Sequence, residues 1–439
     1  MTESEMLDCP NAAAGQLPAD WRLSKLSDIA DINPGRAKPK AEDDEVSFLA
    51  MGDVSEDGQV TERQIRNYQD VAKGFTSFVE NDVLVAKITP CFENGKGALA
   101  TNLLNGIGFG STEFHVIRAK DGCTLPSFLH WHTRDESFRR NGERSMVGSA
   151  GQKRVPTDFL REYKIALPPI KEQQKIVAIL TTMDDKLDAI ARQLEATQTL
   201  KRGLMQTLFS RGVGAQSADG QWVPHAEFRD SELGHLPASW EVRPIGALFD
   251  VVERAVEMDA AQIYRRVTVK RRFGGIELRD ELPGAAIKVK NQFLVEAGDF
   301  LISERQIVHG ACGVVPSALT GALVSNEYLV LKAKPEANVR YFDYMVRLLR
   351  FRKYFLLCSQ GVDIEKFLFK PKDWLKKLVP VPSSEEQARI ADVLALTDQK
   401  LEALTEKQFE YQTLKRGLMQ KLLTGEWRVK LEEAEPLAS

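Results

Sequence analysis

The chain has 439 residues, 43% hydrophobic, 8% aromatic and 28% charged, which suffices for two or three packed domains and excludes bulk disorder. Its 59 Lys and Arg against 62 Asp and Glu give a net charge of −3, which excludes a uniformly basic nucleic-acid binder but not a local basic face. The five cysteines (Cys9, Cys91, Cys123, Cys312 and Cys358) are odd in number, scattered and never spaced as CxxC, so neither a disulfide framework nor a metal site is expected.

In chain order, residues 1–15 carry acids and no apolar core segment, so no signal peptide is expected there. No stretch of the chain approaches the roughly 20 apolar residues that span a bilayer, and a soluble cytoplasmic protein is the expectation. Residues 17–167 read as mixed α+β. Val83-Leu84-Val85 and Phe114-His115-Val116-Ile117 are predicted strands, separated by the glycine-rich stretches Asn94-Gly95-Lys96-Gly97 and Gly106-Ile107-Gly108-Phe109-Gly110. The second stretch lacks the strand–helix setting of a dinucleotide fingerprint and reads as a loop before a strand. Gly95-Lys96 lacks the upstream glycine of a phosphate-binding loop. A helical stretch is predicted over 127–140, where His130 and His132 lie two apart on different faces, an unsuitable spacing for a metal pair.

From 171 to 210 there is no proline, and Gly203 is the only glycine. Ile176, Leu180, Met183, Leu187, Ile190 and Leu194 alternate steps of three and four, the seam of a coiled coil. Such a helix runs about 60 Å at about 1.5 Å per residue and must bury its apolar stripe against a partner.

That partner is written later in the chain. Leu200-Lys201-Arg202-Gly203-Leu204-Met205-Gln206 returns without change as Leu414-Lys415-Arg416-Gly417-Leu418-Met419-Gln420, 214 positions on. The same offset takes Glu172-Gln173 to Glu386-Gln387 and Ser111-Thr112-Glu113-Phe114 to Ser325-Asn326-Glu327-Tyr328. Leu17-Pro18-Ala19-Asp20-Trp21 returns as Leu236-Pro237-Ala238-Ser239-Trp240. The second helix keeps Ile390, Leu394, Leu401 and Leu404 on the seam, and Ser383 with Glu386 fits a capping box. Its acids, Glu385, Glu386, Asp392, Asp398, Glu402, Glu406 and Glu410, are expected to face solvent or a protein rather than phosphates.

The fold class is therefore α+β, with two tandem mixed α/β domains separated by two long helices that pair as an antiparallel, pseudo-two-fold coiled coil. The expected division is a first domain over 1–167, a central helix over 168–212 and a linker over 213–235. A second domain over 236–381, a C-terminal helix over 382–425 and a tail over 426–439 follow.

Basic residues cluster inside both domains despite the acidic total. The first has Arg134, Arg139, Arg140, Arg144, Lys153 and Arg154; the second has Arg265, Arg266, Lys270, Arg271 and Arg272, then Arg340, Arg347, Arg350, Arg352 and Lys353. Cations interleaved with Gln, Ser, Asn and Tyr suit phosphate positioning and base reading. The sequence has no Asn-Pro-Pro-Tyr or Asp-Pro-Pro-Tyr tetrapeptide of an adenine methyltransferase, no helicase motif and no nuclease cluster, so no catalytic residue is expected. Three readings remain at this point: a DNA-binding module with two related halves, a coiled-coil protein scaffold, and a remnant of a fused restriction–methylation enzyme.

The order Leu-Pro-x-x-Trp, variable domain, proline-rich entry with Glu-Gln, and long helix ending Leu-Lys-Arg-Gly-Leu-Met-Gln, given twice, resembles the specificity subunits of type I restriction–modification systems. The stretch from Asp82 to Gly97 and the run Gly108-Phe109-Gly110-Ser111-Thr112-Glu113-Phe114 are also similar to a recurrent target-recognition type. The resemblance covers residues 17–426. It implies that each domain reads one half of a split target in double-stranded DNA, and that the helices dock two methyltransferase subunits. It further implies that restriction–translocation subunits join, and that S-adenosylmethionine binds the methyltransferase, with no cofactor or metal on this chain. Ser325-Asn326-Glu327-Tyr328 in place of Ser111-Thr112-Glu113-Phe114 implies that the two half-sites differ.

The loop after the central strand of each domain is the expected reader. In the first domain its candidates are Lys87, Thr89, Glu93, Asn94 and Lys96. In the second they are Arg305, Gln306 and His309, with Arg265, Arg266 and Lys270 on phosphates. The helix reading makes a prediction of its own. Four residues inserted into one helix add about 6 Å, nearly keep the heptad face, and should lengthen the unread spacer by one or two base pairs of about 3.4 Å each. Mapping the methylated motif of the insertion variant checks this, and altered half-site letters would refute it.

Overall fold

The computed structural model describes residues 17–149, 151–217, 219–362 and 367–430. The signal-peptide expectation and Cys9 lie outside the described residues. The chain forms two compact units, residues 1–191 with 407–439, and residues 192–406.

In the first unit a short antiparallel pair, Arg22–Lys25 with Lys164–Leu167, ties the start of the mixed α/β domain to its end. Between them lie two four-stranded sheets. One runs Ala30–Ile32, Phe114–Ala119, Val83–Ala86, Gly97–Leu99, antiparallel throughout, and its central strand Val83–Ala86 is buried along its whole length. The other runs Gln64–Asn67, Glu45–Leu49, Ile107–Gly110, Thr76–Val79, with a parallel pair at its centre. The glycine triplet expected as a loop is therefore mostly a strand. A Cβ on Gly108 would sit 2.1 Å from the ring of Phe78, and one on Gly110 would sit 2.3 Å from the carbonyl oxygen of Leu49, so close packing requires the glycines.

The helical stretch expected over 127–140 is two helices, Pro126–Arg134 and Glu136–Arg144. Asp135 is extended, and its carboxylate accepts from the Ser137 amide at 2.9 Å, which caps the second helix. Phe92, Phe138, Phe159 and Tyr163 pack edge-to-face or tilted beneath these helices.

The second unit repeats the two four-stranded sheets and the closing pair in the same order. Phe249–Val251, Tyr328–Ala333, Phe300–Ser303 and Cys312–Val314 form one sheet. Ile276–Pro283, Ile263–Val269, Leu323–Ser325 and Gln292–Leu294 form the other. Glu241–Pro244 pairs with Leu378–Val381 to close the domain. Its helices, Val339–Arg347 and Leu349–Leu357, break at extended Leu348. The expected linker carries two small hairpins, Ala215–Gln216 with Trp222–Val223 and Phe228–Ser231 with Gly234–Pro237.

The long helices span Ile170–Arg211 and Ser384–Thr424, 42 and 41 residues. Within each unit they run antiparallel. In the first, Asp184 pairs with Lys415 at 2.5 Å; in the second, the repeat mates Asp398 and Lys201 pair with each other. Ile176 and Leu180 are fully buried with Met419, Leu422 and Leu423, and they also enter the core of the mixed α/β domain beside Phe128 and Leu129. Ile390 and Leu394 do the same in the second unit with Leu208 and Phe209. Met183, Ile190 and Leu404 are buried, whereas Leu187, Leu194 and Leu401 are half-buried. Among the described residues no helix is long and apolar enough to cross a membrane.

The Glu-Gln pair at the start of each long helix holds the unit together. Glu172 is fully buried; its oxygens accept from the Trp21 indole at 2.9 Å and from the Arg428 guanidinium at 2.7 and 2.8 Å. Arg428 also forks onto Asp20. In the second unit Glu386 accepts from the Trp240 indole at 2.8 Å, the amides of Val213 and Gly214, and lies 3.0 Å from His225 Nε2. One expectation for the second helix is corrected here. Ser383 Oγ does accept from the Glu386 amide, but the Glu386 carboxylate turns to Trp240 instead of closing the capping box. Glu386 is buried, and the half-buried Asp398 meets Lys201 and the Tyr344 hydroxyl, so these two acids face protein groups.

Removing one partner of a buried charge is costly. Arg428→Ala is expected to destabilise the first unit by about 3 kcal/mol. The loss should appear as an earlier urea transition, with Arg428→Lys recovering part of it. An unchanged transition would mean that Trp21 alone suffices for Glu172.

Candidate nucleic-acid interface

The loops after the two central strands are positioned from behind by a repeated ion pair. Asp82, almost fully buried just before Val83–Ala86, takes a bidentate contact from Arg118 at 2.8 and 2.7 Å and the Val79 amide at 2.8 Å. Asp299, just before Phe300–Ser303, takes Arg254 at 2.7 and 3.1 Å and the Glu296 amide at 2.8 Å. Bidentate geometry fixes both direction and distance. The strand end, and hence the start of the loop, is rigidly placed.

In the first unit the five candidates share one loop, residues 87–96. The Thr89 hydroxyl donates to Glu93 Oε1. The Asn94 amide donates to Glu56 at 3.0 Å, and Lys96 donates to the Met51 carbonyl at 3.1 Å. Asn94 and Lys96 thus fasten the loop to the hairpin between Glu45–Leu49 and Gln64–Asn67. Thr89 and Glu93 line a cleft of about 730 Å³ with Arg140, Arg144, Met146 and Lys153. Next to this loop Arg154 forks onto Glu113, holding its carboxyl below the usual range.

In the second unit Arg305, Gln306 and His309 share the equivalent loop, residues 304–311. Arg305 donates to Glu327 at 2.7 Å. Burial, followed by the neighbouring Glu327, pushes the Glu304 carboxyl up. The three proposed phosphate cations are already engaged. Arg265 donates to the carbonyls of Ala318 and Thr320, Arg266 forks onto Asp280 at 2.7 and 2.6 Å, and Lys270 pairs with Glu277 at 2.6 Å. These contacts hold the hairpin Ile263–Val269/Ile276–Pro283 in shape.

Both loops carry a buried acceptor without a hydrogen-bond partner among the described residues, Glu93 Oε2 in one and Gln306 Oε1 in the other. On base edges of the major groove the matching donors are the exocyclic amines of adenine and cytosine. Beside the loop in the second unit lies a feature the sequence reading passed over, the hairpin tip at residues 270–275. Its Arg272 and Phe273 amides donate to the carbonyls of His309 and Gly310 at 2.7 and 2.8 Å. The Phe273-Gly274-Gly275 run was the available signal of a tight turn.

A family model described as the type I restriction modification DNA specificity domain matches residues 18–198. The EcoAI specificity subunit of Escherichia coli is 39% identical over 199 residues, 44% of this chain and 33% of that protein. Over this stretch the chain is similar to the specificity subunits of type I restriction–modification systems. A putative MjaX specificity subunit from Methanocaldococcus jannaschii is 24% identical over 427 residues, 95% of this chain and 96% of that one. The stretches matched in the EcoAI and EcoEI subunits are about a third of those relatives' length. The fold is shared with the S subunit from M. genitalium, at a TM-score of 0.54 and 15% identity over 93% of this chain and 97% of that chain. Specificity subunits are the non-catalytic components of such systems, and the loop at residues 87–96 lies within the stretch that the family model matches.

Behind the first loop, His130 and His132 are buried on the helix Pro126–Arg134. Burial, then Arg134 and Arg139, pushes His130 down to about 3; burial alone brings His132 to about 3. Unfolded imidazole titrates near 6.5. Each histidine's stabilising share is therefore complete above pH ~6.5 and is lost at up to about 1.4 kcal/mol per pH unit as pH falls toward the folded value. Urea midpoints should drop between pH 7 and pH 5, and His132→Phe, beside Phe128, should flatten that slope by one residue's share. An unaltered slope in the variant would refute the assignment.

Proposed function

We propose that this chain selects a split, asymmetric site in double-stranded DNA, one half per recognition domain, and presents it to partners that perform the chemistry. The observation that carries this reading is the pairing of sameness and difference. Eight strands repeat in the same order in the two domains, yet the loop after the central strand holds Lys87, Thr89 and Glu93 in one and Arg305, Gln306 and His309 in the other. A scaffold that needed two equal docking domains has no use for that divergence, whereas two unequal half-sites require it.

In this reading two methyltransferase subunits, each binding S-adenosylmethionine, methylate adenine within the chosen site. Restriction–translocation subunits complete the assembly, in the cytoplasm and without a membrane. The long helices supply the docking surface, and the chain contributes no catalytic group, cofactor or metal.

Modified-base sequencing of DNA from cells that express the chain with its methyltransferase subunit tests the proposal. The expected result is N6-methyladenine at one split, asymmetric motif that disappears when this chain is omitted. Methylation that is indifferent to the chain, with the methyltransferase active, would overturn the reading.

A further inference from the structure

We propose that Arg272, at the hairpin tip of the second recognition domain, reads a guanine in the second half-site. This rests on the function proposed above and names one of its contacts. Arg272 and Phe273 both adopt left-handed backbone conformations, with φ of 59° and 57°. This backbone region is unfavourable for a residue with a side chain, although two glycines, Gly274 and Gly275, stand next in the chain. The conformation is held from outside. The two amides donate to the His309 and Gly310 carbonyls, so the tip is latched to the loop that carries Gln306. Phe273 packs against Gly310, where an added Cβ would lie 2.9 Å from its ring, and the guanidinium carbons of Arg347 and Arg352 stand 5.9 Å from the ring centroid.

The latch aims an unused group. Arg265, Arg266 and Lys270 on the same hairpin are engaged by protein partners. The Arg272 side chain is exposed and makes no hydrogen bond or ion pair among the described residues. A phosphate contact needs no such aiming, since phosphates repeat along the duplex and a flexible cation finds them. A base edge does. Guanine alone presents two acceptors, O6 and N7, spaced for the guanidinium fork.

The first unit shows the same latch with opposite chemistry. There the tip of the equivalent hairpin lies on the reading loop through Asn94 and Glu56, and a Cβ on Gly95 would meet the Glu56 carbonyl at 2.9 Å. That tip carries Glu56 and Asp57 where the second carries Arg271 and Arg272. Donors therefore face one half-site from a position where acceptors face the other.

The test is the methylated motif produced in cells by the full chain with its methyltransferase, for wild type, Arg272→Ala and Arg272→Gly. Glycine accepts the left-handed conformation and removes only the guanidinium, so this variant separates reading from folding. Both variants should turn one guanine of the second half-site degenerate, with methylation of the original site falling about 10- to 100-fold. The first half-site should keep every letter. A wild-type second half-site without guanine would overturn the proposal. So would an unchanged motif, whether methylation stays level or falls evenly at all sites, the latter marking a phosphate contact. A wild-type complex whose methylation ignores this chain would instead overturn the broader function, and this assignment with it.

Discussion

The fold depends on a carboxylate buried where a helix begins. An ionised Glu placed out of water costs several kcal/mol unless donors surround it. Its place in the first turn of a long helix, where the dipole is positive, helps but does not suffice. Glu172 therefore needs Trp21 from the start of its domain and Arg428 from the segment after the other helix; Glu386 needs Trp240, two backbone amides and His225. The adjacent glutamine reaches the other way. Gln173 accepts from the Leu125 amide at the head of the domain's helix, and Gln387 from the Asn338 amide at the same place in the second unit. Two consecutive residues thus fix domain, helix and returning chain to one another. Gly212 and Gly425, with φ of +70° and +78°, follow the two helices and lie against these knots; a Cβ on Gly212 would sit 2.1 Å from the Glu386 carboxylate.

With the frame fixed by residues that repeat, divergence is confined to places that do not support it. Each central strand is preceded by a carboxylate held by a bidentate arginine, Asp82 by Arg118 Nε and Nη2 and Asp299 by Arg254 Nη1 and Nη2. The loops just beyond those strands are different lengths and different chemistry. Rigid backing for a variable loop is what direct reading of bases requires, because a bidentate contact loses its discrimination when its donor or acceptor wanders.

The repeats made the large features readable from sequence. Both long helices end within two residues of where proline-free heptad patterning placed them, and the strands around Val83, Phe114, Phe300 and Tyr328 follow from their apolar runs. Features settled by a distant neighbour were not readable. Gly106 to Gly110 carries loop composition, but Phe78 packing on Gly108 makes it a strand. Asp135 divides a helix because its own side chain caps the next one. Arg266 looks like a phosphate cation in its own strand, while its partner Asp280 stands opposite it in the register of a strand ten residues on. Arg272 is one charge among five in the sequence, and its left-handed backbone, held by the His309 and Gly310 carbonyls, becomes visible only in the fold.

The same cross-strand pairing sets the electrostatic character of the molecule. Arg154 with Glu113, Arg266 with Asp280, Lys270 with Glu277 and Arg305 with Glu327 all neutralise cations close to the candidate readers, and the whole chain is net acidic at −3. Attraction to any stretch of DNA grows with the number of phosphates a protein neutralises and carries no sequence information. In the proposed function, the four pairs reduce the number of free cations beside the candidate readers and so lower that indiscriminate term. The difference between right and wrong sites then falls on a few directed groups, each worth about 1–3 kcal/mol of discrimination when it meets its base in bidentate geometry. In the proposed function, paired charge and rigid loops serve one requirement, that preference among sites outweigh affinity for DNA at large.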